Sequence, residues 1–245
     1  MPEGNAAGDD KSAREGRLLA RPARRAKDGA GVGAAAADAG AGKPGEHNLG
    51  LDAKRDGLLY VPAGYARERP APLVVTLHGA GGSAARALSF LRPLADESNL
   101  LLLAPQSRGA TWDVIRGGYG PDVSFIDRAL AQVFARYAVD ASRVAVGGFS
   151  DGASYALSLG LTNGDLFTHV LAYSPGFAAP ADKRGRPRFY VSHGTRDEVL
   201  PIEVCSRRIV PQLKEAGYEV RYREFDGPHT VPPDVARESV GWFLK

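Results

Sequence analysis

Between Val144 and Ala153 the chain reads Val-Ala-Val-Gly-Gly-Phe-Ser-Asp-Gly-Ala, an apolar, β-branched run that breaks at glycines around Ser150 and then turns helix-forming. A serine there sits where a strand turns sharply into a helix. Gly148-Phe149-Ser150-Asp151-Gly152 matches G-x-S-x-G, whose small flanking residues let the backbone fold tightly enough to push the serine hydroxyl into the open. In a chain with 30 glycines such a frame also arises by chance. An ordinary strand-to-helix turn is the alternative, and what the rest of the chain supplies decides between them.

A length of 245 residues suits one sizeable α/β domain with a well-buried core. Residues 1–15 hold almost no large apolar side chain and are expected to form a flexible N-terminal tail, with a single domain over 16–245. Arg17 to Arg21 is a short strand candidate ended by Pro22. Residues 23–46 are expected to be a flexible loop, since 12 of the 14 residues from Gly29 to Gly42 are Ala or Gly. Gly29-Ala30-Gly31-Val32-Gly33 resembles a dinucleotide-binding loop only superficially, for it follows no strand and opens no amphipathic helix.

Beyond Lys54 the spacing predicts strands at Gly57–Val61, Leu73–Leu77, Leu100–Ala104, Arg143–Phe149, His169–Tyr173, Arg188–Ser192 and Glu219–Phe225. Helical patterns separate them at Ser83–Glu97, at Asp122–Tyr137 with Asp122 as N-cap, after Ser150, at Val204–Ala216, and from Pro232-Pro233 to Phe243. This alternation predicts an α/β fold, a doubly wound and mostly parallel sheet with helices on both faces, whose sites lie at the carboxyl ends of the strands.

A serine hydroxyl needs a base within hydrogen-bond reach. Of five histidines, His47 falls in the N-terminal region and His169 inside a strand. His78 and His193 are flanked by short turns that suggest structural support. His229, in Asp226-Gly227-Pro228-His229-Thr230 after the last strand, is free to point back across the sheet and is the candidate base. Asp197, directly after a buried strand, is the candidate acid that fixes the histidine, with Glu198 as rival. Two backbone N–H groups should face the developing oxyanion: one from Asp151, the other from the loop after Leu77, most plausibly Ala80, with Gly79 or Gly81 as alternatives. His78 to Gly82 lacks the Gly-Lys-Ser/Thr ending of a phosphate-binding loop.

Leu77-His78-Gly79-Ala80-Gly81-Gly82, Gly148-Phe149-Ser150-Asp151-Gly152, His193-Gly194-Thr195-Arg196-Asp197 and Gly227-Pro228-His229 together resemble the α/β-hydrolase superfamily. The resemblance is to its phospholipase/carboxylesterase and dienelactone-hydrolase-like serine esterases and spans about Lys54 to Lys245. It implies a carboxylic-ester hydrolase with neither metal nor organic cofactor. The elbow holds serine where dienelactone hydrolases hold cysteine, and Cys205, the one cysteine, stands on a helix beyond the acid.

Ser174 to Pro187 is too short for a folded cap, so an open site is expected. Trp112, Tyr119, Tyr173 and Phe177 are candidate pocket walls, with a place in the core or at the rim as the alternative for each. An open aromatic cleft would suit short-chain or aromatic esters, or polymer surfaces. Acyl-thioesterase or lysophospholipase activity would use the same residues, and a binding module on this fold would carry a damaged set. The net charge of +3, from 31 basic against 28 acidic residues, argues for a mixed surface rather than nucleic-acid binding. No apolar stretch approaches a membrane span, and the polar N-terminus predicts a cytoplasmic protein. The oligomeric state is not encoded in any feature of the sequence.

Overall fold

A computed structural model describes residues 11–23 and 42–245. Eight strands form one sheet: β1 (Gly45–Asn48), β2 (Leu58–Val61), β3 (Ala71–Leu77), β4 (Leu101–Ala104), β5 (Val139–Phe149), β6 (His169–Tyr173), β7 (Arg188–Gly194) and β8 (Val220–Phe225). Their spatial order is β1-β2-β4-β3-β5-β6-β7-β8. Strands β3 to β8 run parallel, and β1 and β2 close one edge in antiparallel fashion.

Six helices cover the sheet: α1 (Ala84–Ser89), α2 (Arg92–Ala95), α3 (Pro121–Arg136), α4 (Asp151–Thr162), α5 (Ser206–Glu215) and α6 (Pro233–Phe243). The strand period of two divides the core between the two faces. Leu73, Val75, Val146 and Val191 pack with α3, α4 and α5, whereas Val74, Ala145, Leu171 and Tyr190 pack with α1, α2 and α6. Because both faces are covered, β3 and β4 are apolar throughout rather than alternating.

Several expectations are corrected. Ser83 caps α1 as its hydroxyl accepts the Arg86 N–H, but the helix expected through Glu97 breaks at Phe90 and restarts as α2. Pro93 has no N–H for the carbonyl four residues back, so one continuous helix would leave that acceptor unpaired. Asp122 does not cap α3. Gly120 occupies that position, and the Asp122 carboxylate accepts the N–H groups of Arg108 and Asp113 instead.

The loop from Pro105 to Pro121 is not structureless; it contains a 3₁₀ turn over Asp113–Arg116. The tail expected over 1–15 is ordered in its described part, with Ala13 buried in the core. Arg17 to Arg21 joins no sheet. The Leu18 N–H is held by the Asn163 side chain, and those of Leu19 and Ala20 by Asp127. Residues 1–10 and 24–41, with the glycine-rich stretch from Gly29, lie outside the described residues. The loop expected through residue 46 ends sooner, because β1 begins at Gly45 and takes His47 into the sheet, paired with Leu59.

Candidate active site

Strand β5 lies between β3 and β6, so its carboxyl end opens at the middle of the sheet. Ser150 follows it at φ 58°, ψ −122°, a conformation costly for any residue with a Cβ. Its N–H bonds the Tyr173 carbonyl at 3.0 Å, and its own carbonyl accepts the first helical N–H groups of α4. The flanking glycines are required by space. A Cβ on Gly148 would stand 2.5 Å from the Gly152 backbone, and one on Gly152 only 2.2 Å from the Leu77 carbonyl oxygen.

Asp197 sits in the loop after β7 and His229 in the loop after β8, both at the same end of the sheet as Ser150. His229 Nε2 lies 2.9 Å from Ser150 Oγ, and its Nδ1 lies 2.5 Å from Asp197 Oδ2. An Nδ1–H donated to the carboxylate leaves Nε2 to accept the serine proton. The Asp197 side chain is fully buried, with Oδ1 accepting the Val199 and Leu200 N–H groups. Burial pushes its pKa up, but the Leu200 N–H and His229 outweigh that effect and hold it below the ordinary carboxylate value. Glu198 is exposed and makes no such contact.

The two supporting histidines are fully buried, and burial lowers both pKa values, keeping the rings neutral. His78 Nδ1 donates to the Gly79 carbonyl at 2.8 Å while Nε2 accepts the Ser107 N–H at 3.1 Å, which fixes the loop after β3. His193 bonds Ser206 and the Leu200 carbonyl. Within the loop, the Gly81 N–H is taken by the Ala110 carbonyl. Among the described residues the N–H groups of Ala80 and Asp151 have no such partner. Thr111 donates its hydroxyl to the Asp151 carboxylate at 2.5 Å and so ties the Pro105–Pro121 loop to the elbow.

The cleft around Ser150 and His229 is lined by Gly79 to Gly82, Arg86, Phe90, Phe149 and Val199. The Phe90 and Phe149 rings meet edge to face at 5.6 Å, and Phe149 lies 4.5 Å from the His229 ring. Residues 174–187 form neither strand nor helix, and no cap stands over the opening among the described residues.

The four aromatic residues expected to form the walls lie elsewhere. Trp112 is fully buried, donates its indole N–H to the His78 carbonyl and stacks on Tyr155. Tyr173 is 1% exposed and bonds Ser239. Tyr119 donates to the Ala179 carbonyl, and Phe177 is half-buried with its N–H near Ser154 Oγ; neither lines the cleft. Phe90 looked like a core residue at helical spacing, and Phe149 like the variable residue of the elbow. Cys205 is buried and lies outside the cleft, its thiol pKa raised first by burial and then by the Asp197 charge. Among the described residues there is no cluster of three or more metal-ligating side chains, and no helix is long and apolar enough to cross a membrane.

Comparison with known proteins follows this geometry. The phospholipase/carboxylesterase family profile matches residues 123–237. Feruloyl esterase C of Emericella nidulans is 30% identical over 158 residues, covering 61% of this chain and 57% of that protein. The chain thus spans a little over half the length of the feruloyl esterases it matches. Among solved structures, esterase PE8 aligns with a TM-score of 0.61 at 24% identity, over 75% of this chain and 97% of that one. A CE1 ferulic acid esterase from Anaeromyces mucronatus, in complex with ferulic acid, aligns at 0.60 and 17% identity, over 83% and 90%. At these identities the structural likeness speaks for the fold.

Proposed function

The chain belongs to the α/β-hydrolase superfamily, and from that premise we propose that it hydrolyses carboxylic esters through an acyl-enzyme formed on Ser150. The observation that carries this reading is the unbroken chain of contacts from Ser150 Oγ through His229 to the buried Asp197.

In the first step Ser150 Oγ bonds to the ester carbonyl carbon as its proton passes to His229 Nε2. The negative charge on the carbonyl oxygen is met by the N–H groups of Ala80 and Asp151, the latter at the start of α4, where the helix dipole adds to the stabilisation. The carbon–oxygen bond to the alcohol then breaks, and His229 returns the proton to the departing oxygen. Water repeats the sequence on the acyl-enzyme and frees the acid. Asp197 stays ionised and stabilises the imidazolium.

The acyl group proposed is aromatic or short. Phe90 and Phe149 give the cleft a flat apolar wall, and the matched relatives named feruloyl esterase point the same way. The test is a fluorophosphonate label on the protein together with a panel of para-nitrophenyl acetate, hydroxycinnamate esters, a thioester, a lysophospholipid and a polyester film. Labelling lost in Ser150→Ala and fastest turnover of aromatic or short oxygen esters are expected. Full labelling of that variant would overturn the reading, and faster thioester or lipid turnover would move the substrate class.

A further inference from the structure

We propose that Arg86 makes this cleft selective for esters that carry a carboxylate near the scissile bond, an inference that rests on the ester-hydrolase reading above. Arg86 lies on α1, four residues before Phe90, and both line the cleft with Ser150 and His229. The other lining residues, Gly79 to Gly82, Phe149 and Val199, carry no charge at all. Asp197, the nearest carboxylate in the catalytic constellation, is fully buried behind His229.

The Arg86 guanidinium is exposed and forms no ion pair among the described residues. Other arginines around this end of the sheet are neutralised: Arg196 by Asp226 at 2.9 Å, Arg207 by Glu224 at 2.6 Å, and Arg237 by Glu97 at 2.5 Å. The hollow on the far side of His229, lined by Arg196, Glu198, Val199 and Pro228, holds acid and base together. The half of the opening beside the loop after β3 therefore presents one unbalanced positive charge next to two aromatic rings. A planar guanidinium binds a carboxylate through two parallel N–H donors, and the rings accept an apolar or aromatic body beside it. An ester combining the two matches this surface.

Two matched substrate pairs test the proposal. The acyl arm compares para-nitrophenyl para-carboxybenzoate with its methyl ester, and the alcohol arm compares para-carboxyphenyl acetate with its methyl ester. The quantity read is the ratio of kcat/KM for the acid over that for its neutral partner, measured within each variant. In Arg86→Gln the ratio should fall about two- to fivefold, the range of an exposed ion pair. It should fall further in Arg86→Glu and be largely kept in Arg86→Lys. The arm in which this happens identifies the side of the ester that faces Arg86.

The wild type needs no substitution to be informative: about 0.5 M NaCl should lower its ratio toward that of Arg86→Gln, because an exposed pair is screened. Ratios equal in wild type, Gln and Glu variants in both arms, or a wild-type ratio indifferent to salt, would overturn the assignment while ester hydrolysis stood. A wild type inert toward all four esters would overturn both readings.

Discussion

His193 Nε2 lies 3.2 Å from Asp197 Oδ2, the same oxygen that His229 meets through Nδ1 at 2.5 Å. The Ser206 hydroxyl lies 2.6 Å from His193 Nδ1 and donates to it, leaving the Nε2–H for Asp197 and the Leu200 carbonyl. Two donors thus share one carboxylate oxygen. Removing His193 leaves Asp197 more basic toward His229, so in His193→Ala the acid limb of kcat/KM should move to higher pH. The loop from Asp197 to Leu200 loses an anchor, and kcat should drop about tenfold. His193→Gln, which retains an N–H donor, should recover most of both. A pH–rate profile of the three proteins checks this; an unmoved acid limb in the alanine variant argues that His193 only fills space.

Ser150→Ala should lower kcat for para-nitrophenyl acetate by about three to six orders of magnitude while the protein stays folded. Cys205→Ala should keep most of the parent rate, since the thiol is buried away from the cleft and burial raises its pKa. Steady-state kinetics on the two purified variants, with circular dichroism as the folding control, separates a serine from a thiol nucleophile.

Trp112 and Phe90 should exchange the roles that their sequence positions suggest. Trp112→Ala removes a fully buried indole and its bond to the His78 carbonyl, at a cost of about 3–5 kcal/mol in urea unfolding. Phe90→Ala opens a half-buried position on the cleft wall and should raise KM for aromatic esters with a smaller loss of stability. Chemical denaturation beside kinetics on a hydroxycinnamate ester distinguishes the two outcomes.

Asp122 should titrate far above a normal aspartate. Burial pushes its pKa to about 6, with the neighbouring Asp113 charge adding to the rise and the N–H groups of Arg108 and Asp113 opposing it. The folded value lies above the unfolded value of 3.8, so the protonated group favours the folded state. Its contribution is complete below about pH 4 and is lost as pH rises through about 6, a change of roughly 3 kcal/mol. Carboxyl NMR should report a midpoint near 6, and the pH dependence of stability in Asp122→Asn should lack this downward component. A midpoint near 4 would contradict the burial argument.

The sequence made legible what repeats locally. A run such as Leu73–Leu77 can only be a strand covered on both faces, and a glycine-framed serine between a strand and a helix has few backbone solutions. The acid and base could be placed because they follow strands, and one end of a parallel sheet collects everything that follows its strands. The aromatic walls were misread because burial of a side chain is a tertiary property. Trp112 lies in a loop yet finds Tyr155 beneath it, whereas Phe90 has core spacing but stands where Pro93 breaks the helix. The N-terminal segment was misread for a similar reason: Asn163 and Asp127, more than 100 residues away, hold its backbone.

The backbone at Ser150 carries a further consequence. At φ 58° and ψ −122° a side chain is unwelcome, and glycine would sit there with less strain. Replacing Ser150 by glycine should therefore yield a protein that withstands more heat while losing its chemistry. Selection for robustness alone would erase this serine, and its persistence in so strained a place is the mark of a residue kept for what it does to other molecules.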